Sequence, residues 1–230
     1  MTNKLEILNK TIINCNKCKR LVDFRKKIAN EKTKRFKHEN YWGRPITGFG
    51  DPKAKVMFVG LAPAAHGGNR TGRGFTGDKS ADFLFKCLFK VGYSNQPNSD
   101  NIGDGLKLID TYLTTALKCV PPQDKPTSLE LRNCFKFFSQ EIEVIKSIKI
   151  VVCLGKIAFD TCIKSLNLKS LGFKFTHGQL NKVNDRFYLG SSYHPSPRNV
   201  NTGRLTEESM IKFLVEVKNN RSQALALRWI

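Results

Sequence analysis

Long apolar segments are missing from this chain of 230 residues. The longest apolar runs, such as 56–60 and 148–154, are far shorter than the roughly 20 residues that a membrane-spanning helix needs. The first ten residues hold no apolar stretch of the kind found in a secretion signal. We therefore expect a cytoplasmic protein that does not use a membrane as its partner.

Acidic residues are scarce, with 19 Asp and Glu against 39 Lys and Arg, so the formal net charge is +20. Such an excess favours a polyanionic partner, because binding releases the counterions condensed on it. A lysine-rich, solvated surface without a specific partner would explain the charge equally well. No long segment combines a basic face with a clean apolar face, as a helix lying on a membrane would.

The chain lacks the features of a disulfide framework, since it has an odd number of cysteines, seven, and no secretion signal. Cys87, Cys153 and Cys162 lie in apolar stretches, so we interpret them as small core residues. The other four lie in polar surroundings and need another role: Cys15, Cys18, Cys119 and Cys134. Pairs of cysteines two residues apart are typical zinc ligands.

Nucleotide-binding motifs are also missing. The Gly- and Ala-rich segment 60–78 contains no Gly-Lys-Ser/Thr and no clean Gly-x-Gly-x-x-Gly, so we expect no nucleotide cofactor. Its small residues would instead let the backbone approach a ligand closely.

Short apolar runs rich in β-branched residues alternate with amphipathic segments. We predict strands at 55–60, 111–117, 148–154 and 186–191. We predict helices at 5–14, 19–30, 80–91, 128–148 (capped by Ser128), 156–166 and 206–217. Alternating strands and helices imply parallel pairing. The expected fold is α/β, a three-layer α/β/α sandwich around a short, mainly parallel four-stranded sheet, in a single domain over 1–230.

A loop of unusual composition follows each predicted strand: 61–68, 118–122, 155–156 and 193–199. Ligand sites in open parallel sheets lie outside the carboxyl ends of the strands, so these loops should converge on one site. Phe75 stands alone among small and polar residues and could stack on a base, or it could be a core residue that holds its loop. His194 lies between a strand and two prolines, which favours a functional role over a structural one.

Three segments together resemble a known family. GLAPAAHGG at 60–68, FTGD at 75–78 and HPSPRNVNTGRLT at 194–206 are similar to the type B, or family 5, uracil-DNA glycosylases of the uracil-DNA glycosylase superfamily. The Cys-x-x-Cys pair, followed by Leu21 and Arg25, and the later pair of cysteines fit as well. The resemblance runs from about residue 15 to about residue 217.

The resemblance implies a structural [4Fe–4S] cluster held by an N-terminal segment and by the later cysteines, namely by Cys15, Cys18, Cys119 and Cys134. Four thiolates suit such a cluster. The spacing of the cysteines does not decide between it and zinc.

The resemblance also implies roles in a pocket that receives a flipped base. Phe75 would stack on the base, His194 would hydrogen-bond its carbonyl, and Asp78 would orient or activate water. Gly60 and Ala62 would line the pocket, Ala62 standing where other uracil glycosylases place an Asp or a similar polar group. Thr115 stands where relatives often have an Asn, and its single hydroxyl fits a wider pocket that also accepts hypoxanthine or xanthine.

DNA containing uracil or another deaminated base is the implied partner, bound by a monomer. Its backbone would be contacted from loops 66–73 and 194–204, through His66, Arg70, Arg73, Ser196, Arg198, Asn199 and Arg204. The implied function is a DNA glycosylase of base excision repair. The alternative is a non-catalytic iron–sulfur or zinc protein that binds nucleic acid through its basic surface.

Overall fold

The strands form one mixed sheet in the computed structural model, which describes residues 2–185 and 187–226. The strands within these residues are β1 (Phe49–Gly50), β2 (Val56–Gly60), β3 (Thr111–Thr115), β4 (Ile150–Leu154), β5 (Gln179–Asn184) and β6 (Phe187–Ser192). Their order is β1-β3-β2-β4-β6-β5, and the central β3, β2, β4 and β6 are parallel.

The four predicted strands are thus the parallel centre of the sheet, although the predicted start of the last one, Arg186, lies outside the described residues. The expectation of four strands in all was wrong, because β1 and β5 pair antiparallel at the two edges of the described sheet. β1 has only two residues, too few for a pattern, and β5 (QLNKVN) is largely polar. An exposed edge strand needs no apolar face, so its sequence carries little signal.

All six predicted helices are present, and five of them match to within four residues at each end, whereas the last runs nine residues beyond its predicted end at 217. In the described part of the chain the helices are α1 (Thr2–Ile13), α2 (Lys19–Glu31), α3 (Gly68–Thr71), α4 (Lys79–Lys90), α5 (Ser128–Val144), α6 (Lys156–Ser165), α7 (Pro197–Asn201) and α8 (Glu207–Ala226). Two short helices, α3 and α7, were not predicted. The cap of α5 is Thr127 and not Ser128, because Thr127 and Glu130 form a reciprocal capping box. None of these helices is both long and apolar enough to cross a membrane.

Both faces of the sheet are covered, which confirms the three-layer α/β/α sandwich. Successive residues of β2 point to opposite faces. Phe58 packs on one side with α4 and α8, and Met57 packs on the other side with α5 and α6. Cys87, Cys153 and Cys162 are fully buried in these layers, as predicted.

A third apolar cluster joins the N-terminal helices to the start of α5. Leu8 and Ile12 of α1, Leu21 of α2 and Phe137 of α5 pack together there. The four cysteines that the sequence set apart belong to this cluster, away from the two faces of the sheet.

Candidate active site

The four loops that follow the parallel strands border one cavity of about 690 Å³. Ala62 comes from the loop after β2, Asp124 from the loop after β3, Gly155 from the turn after β4, and His194 from the loop after β6. Three of the four predicted loops, 61–68, 155–156 and 193–199, therefore meet at the carboxyl edge of the sheet as predicted, whereas 118–122 does not line the cavity and the segment after β3 reaches it with Asp124. Because Leu154 and Phe175 also line it, the cavity combines apolar walls with a few polar groups, as small-molecule sites commonly do.

Phe75 and His194 face each other in this cavity, with ring centroids 5.8 Å apart and ring planes inclined by 33°. Stacking a third ring between two others needs about 7 Å, twice the contact distance of carbon atoms. A flat ligand would therefore lie against the face of one ring, with the other ring at its edge. Phe75 is held by its backbone in a left-handed conformation (φ 49°) and is 8% exposed.

The imidazole of His194 is neutral over most of the pH range, because burial lowers its pKa to about 4. Two hydrogen bonds to the His194 carbonyl hold its backbone: the Asn199 side-chain amide donates at 2.8 Å and the Ser196 N–H at 2.8 Å. Ser196 also caps α7 by accepting from the Asn199 N–H. A neutral imidazole on a fixed loop can donate one hydrogen bond to a ligand atom.

Asp78 borders the same cavity and caps α4. Its Oδ1 accepts from the Ala81 N–H at 3.0 Å, and its other oxygen, Oδ2, lies against Gly67. Burial raises the pKa of the carboxyl, although hydrogen bonds from the first turn of α4 oppose this. One oxygen of the carboxylate therefore caps the helix, and the other lies against Gly67.

The three remaining predicted base-binding residues are placed differently from one another. Ala62 borders the cavity with a methyl group, at the position where the family resemblance places an Asp or a similar polar group in other uracil glycosylases. Gly60 lies beneath the Phe75 ring, since a β-carbon there would come within 2.5 Å of it. Thr115, paired with Gly60 across the parallel strands, is 2% exposed, and its hydroxyl has no hydrogen-bond partner among the described residues.

The predicted DNA contacts of Arg70 and Arg73 are not compatible with their positions, because both side chains are buried and satisfied internally. Arg73 forms a two-pronged ion pair with Asp104 (2.6 and 3.1 Å) and also donates to Ser99. Arg70 pairs with Glu39 and stacks 3.9 Å over the Phe36 ring. These two arginines hold the 60–78 segment together and do not form a DNA-facing surface.

The other predicted DNA contacts divide between the surface and the interior. Arg198 and Arg204 are exposed on the segment after His194, and Arg204 lies 5.2 Å over the Tyr193 ring at the cavity. Ser196 and Asn199 border the cavity while they stabilise their own loop. His66 lies apart from the cavity lining, with its Nδ1 2.9 Å from the Tyr41 hydroxyl.

Sequence reasoning missed Asp124, which lines the cavity from just beyond the predicted loop 118–122. Lys156 and Tyr193 also line it and lie in predicted loops, although no role was assigned to them. Asp124 and its neighbour Gln123 both have left-handed backbones, with φ of 56° and 53°. Consecutive non-glycine residues in this conformation are uncommon and tend to occur at functional sites. The position of Asp124 two residues after the Pro121-Pro122 pair was the one available signal.

The four cysteines outside the core line one small cavity bordered by the turn between α1 and α2, the first turn of α2, the segment after β3 and the middle of α5. Cys15 and Cys18 are partly exposed, whereas Cys119 and Cys134 are buried. Burial raises the pKa of Cys119 to about 12 and that of Cys134 to about 11. Among the described residues, no group of three or more His, Cys, Asp or Glu side chains is arranged to hold a metal ion.

Residues next to these cysteines are tightly held. The Lys118 ammonium, 1% exposed, lies 2.8 Å from Glu141 of α5 and 2.6 Å from the Thr114 hydroxyl of β3. On the other side, the Asn133 amide donates to Cys18 Sγ at 3.4 Å. The end of β3 and helix α5 therefore present Cys119 and Cys134 from fixed backbone, opposite the Cys15–Cys18 turn.

Comparison with known proteins identifies the family. A family model described as "Uracil DNA glycosylase superfamily" matches residues 47–218. The chain belongs to this superfamily.

Within the superfamily, relatives that are 36–47% identical to the chain are type-5 enzymes, and type-4 enzymes are less similar. A type-5 uracil-DNA glycosylase of Pyrobaculum aerophilum is 47% identical over 204 residues, 88% of this chain and 87% of the relative. Another, of Thermus thermophilus, is 41% identical over 213 residues, 93% of this chain and 96% of the relative. A type-4 enzyme of Archaeoglobus fulgidus is 26% identical over 155 residues. The resemblance seen in the sequence motifs is confirmed.

Proposed function

We propose that this chain removes uracil from DNA by hydrolysing the bond between the base and its sugar, as a glycosylase of base excision repair. The observation that carries the proposal is the cavity at the carboxyl edge of the parallel strands, which brings Phe75, Asp78 and His194 together. The type-5 uracil-DNA glycosylases that cover most of the chain support the same reaction.

The base leaves the duplex before it reacts. Extrusion costs a few kcal/mol of stacking and pairing, and it costs less at a U·G mismatch. The flipped base lies against the face of the Phe75 ring. The ring centroids of Phe75 and His194 are 5.8 Å apart, which is too little for the base to lie between the two rings. His194 therefore meets the base at its edge.

His194 assists the departure of the base. Negative charge collects on the base carbonyl as the glycosidic bond breaks, and a neutral imidazole N–H stabilises it by a hydrogen bond. A single well-placed donor of this kind contributes about 3 kcal/mol to transition-state stabilisation elsewhere. The lowered pKa of His194 keeps the ring neutral at the pH of the cell.

Asp78 acts on the water that attacks the sugar. Its carboxylate positions or activates the water that adds to the cationic sugar. Ala62, which also borders the cavity, cannot take this role because its side chain is a methyl group. The phosphates of the DNA also stabilise the positive charge on the sugar. The raised pKa of Asp78 fits a group that exchanges a proton during the reaction.

The DNA backbone lies along the segment that follows His194. Arg198 and Arg204 are its exposed cations, and Lys156 adds a third at the first turn of α6. The N–H groups at a helix start also favour phosphate. Segment 194–204 enters the groove, with Arg198 near the space that the base has left.

A structural [4Fe–4S] cluster held by Cys15, Cys18, Cys119 and Cys134 completes the proposal. The four sulfurs border one cavity, and the two buried thiols need a compensating cation before they lose their protons, which a cluster supplies. A cluster is wider than one ion, so its ligands stand further apart than the ligands of zinc. When bound, the cluster cross-links the N-terminal helices to α5.

The cluster is tested by metal analysis of protein prepared without oxygen. We expect about four irons and four sulfides per chain, with broad absorption at the blue edge of the visible range, lost in Cys134→Ala. Cys162→Ala is the matched control, because that cysteine is buried in the core. Zinc without iron or sulfide would contradict the cluster.

The range of bases is wider than uracil in this proposal and includes hypoxanthine and xanthine. Thr115 offers one hydroxyl in place of a two-sided amide, so it reads the base edge less strictly. It is buried beside Gly60, so the base reaches it only where the Phe75 ring makes room. We further propose that the chain acts as a monomer, as a single domain, and in the cytoplasm, where it has access to DNA.

The activity is tested with an oligonucleotide that contains one uracil, treated with alkali after incubation. We expect strand breaks at the uracil, and none in the same oligonucleotide with thymine. His194→Ala should slow the reaction by about a hundredfold, whereas His38→Ala, at an exposed position, should not. DNA binding without strand breaks would support the non-catalytic alternative.

A further inference from the structure

Arg25 of α2 is a buried cation with two unsatisfied donors. The residue is 3% exposed, and its Nη2 donates to the Asn16 side-chain carbonyl at 2.7 Å and more weakly to the Cys15 carbonyl at 3.4 Å. Its Nε and Nη1 have no hydrogen-bond partner among the described residues. Because a guanidinium keeps its charge at any ordinary pH, burying it with free N–H groups is costly.

The neighbouring arginine on the same helix shows the ordinary arrangement. Arg20 makes a two-pronged ion pair with Glu130, at 2.8 and 2.7 Å, while its own side chain stays 43% exposed. Arg25 is far more buried than Arg20, yet it forms no ion pair with a carboxylate in the described part of the chain. A buried guanidinium requires an anion nearby, so the anion that compensates Arg25 is a group other than a carboxylate.

The groups that can become anionic next to Arg25 are the cysteine thiols. Arg25 contacts the turn that carries Cys15 and Cys18, donating to the Cys15 carbonyl and to the Asn16 side chain. Leu21, one turn before Arg25 on α2, lines the cavity that the four cysteines share. The buried guanidinium thus lies at the turn that carries Cys15, one helical turn from the cavity that the four cysteines share.

We propose that Arg25 is the charge partner of the iron–sulfur cluster, with Nε and Nη1 donating to its sulfur atoms. The inference rests on the proposed cluster. A four-iron cluster with four thiolate ligands carries net negative charge, and reduction makes it more negative. A fixed cation with two N–H donors therefore retains the cluster and favours its reduced form, since net charge and hydrogen bonds to sulfur set the potential.

The test compares Arg25→Met, which keeps most of the length and removes the charge, with Lys26→Met. Lys26 is the next residue on α2 and is exposed, so its variant removes the same charge from the same helix. Cluster loss is followed by visible absorbance in the presence of an iron chelator and oxygen, and the reduction midpoint is measured by redox titration. Far-UV circular dichroism reports whether each variant is folded.

Arg25→Met should lose its cluster about tenfold faster than wild type, as removal of hydrogen bonds to a charged group predicts. Its midpoint should shift to more negative potential, and Arg25→Lys should restore most of that shift because it keeps the charge. Lys26→Met should match wild type in both measurements. If Arg25→Met does not fold, the same comparison is made between Arg25→Lys and Arg25→Gln.

Two further results would overturn the inference in different ways. Wild-type protein without iron and sulfide would overturn the cluster, and this role of Arg25 with it, but not the glycosylase. A wild type with a full cluster, and an Arg25→Met variant with the same midpoint and rate of loss as Lys26→Met, would overturn the role of Arg25 alone. In that case the side chain would serve only to hold the turn at Asn16.

Discussion

The carboxylate of Asp78 lies directly against Gly67: a β-carbon added at residue 67 would come within 2.1 Å of Asp78 Oδ2. Real β-carbons essentially never approach another atom so closely, so either the carboxylate or the backbone would have to move. The other oxygen, Oδ1, is held by the first turn of α4. The absence of a side chain at Gly67 therefore determines the position of Oδ2 of Asp78.

Gly67→Ala should slow uracil release by about a hundredfold, since a displacement of this size in a catalytic group has such an effect. Single-turnover cleavage measures it. Gly103→Ala is the control, because a β-carbon there meets nothing nearer than 3.5 Å. Full activity in Gly67→Ala would show that the position of Oδ2 is not important.

Asp78 has two roles, and replacement by serine separates them. Serine caps helices about as well as aspartate, so Asp78→Ser should keep the stability of wild type, whereas Asp78→Ala should lose about 1 kcal/mol of unfolding free energy. Both variants lack the carboxylate, so both should cleave slowly, by the same factor for every base. Urea unfolding and single-turnover cleavage give the two quantities. An active Asp78→Ser would reduce Asp78 to a helix cap.

The role of His194 depends on the leaving group. His194→Ala should slow uracil release by about two orders of magnitude. The loss should be smaller for a halogenated uracil, because a better leaving group needs less help from a donor. Binding to an abasic product analogue should stay nearly unchanged if backbone contacts hold the DNA. An equal loss for both bases, together with weaker product binding, would mean that His194 merely holds its loop.

The depressed pKa of His194 predicts how stability depends on pH. The folded protein binds a proton at His194 only below about pH 4, whereas an unfolded histidine does so below 6.5. Between these values the unfolded chain takes up the proton, so this group makes stability fall as pH falls, by about 3 kcal/mol over the window. His194→Asn should remove that decline, as measured by urea unfolding at pH 7 and pH 4.5. The control His38→Asn, at an exposed position, keeps His194 and should lose stability between these pH values as wild type does. If His194→Asn loses as much stability as this control, His194 is not buried as a neutral ring.

The salt dependence of DNA binding locates the DNA on the surface. Each of Arg198→Ala and Arg204→Ala should flatten the plot of log affinity against log salt by about one unit per phosphate contact. Lys53→Ala, an exposed change just before the amino end of β2, should leave the slope unaltered. Unchanged slopes in both arginine variants would place the DNA on another face.

The buried arginines should behave differently in the same experiment. Arg73→Ala leaves Asp104 unpaired in the interior, so it should cost about 3 kcal/mol of unfolding free energy or prevent folding. Its effect on DNA binding should follow the loss of folded protein and should leave the salt slope of the folded fraction unchanged. The two pairs of arginines were indistinguishable in the sequence, where all four looked like loop cations.

Much of the architecture was determined by the sequence alone. The β-branched apolar runs predicted the four parallel strands because a strand buried on both faces must be apolar throughout. The alternation with helices predicted the layers, and the loops of unusual composition at the strand ends predicted the cavity that Phe75, Asp78 and His194 now share. These signals are local: they depend on the residues of one element and on a general rule for joining elements.

Only the tertiary structure decided which polar side chains meet. Arg73 pairs with Asp104, 31 residues further along the chain. The Cys15–Cys18 turn and the distant Cys119 and Cys134 border one small cavity. Asp124 reaches the cavity because it and Gln123 adopt left-handed backbone conformations, which non-glycine residues rarely do and which the sequence did not predict. Ion pairing and burial depend on contacts with residues from distant segments of the chain. The hydrophobic pattern of one segment carries no information about those contacts.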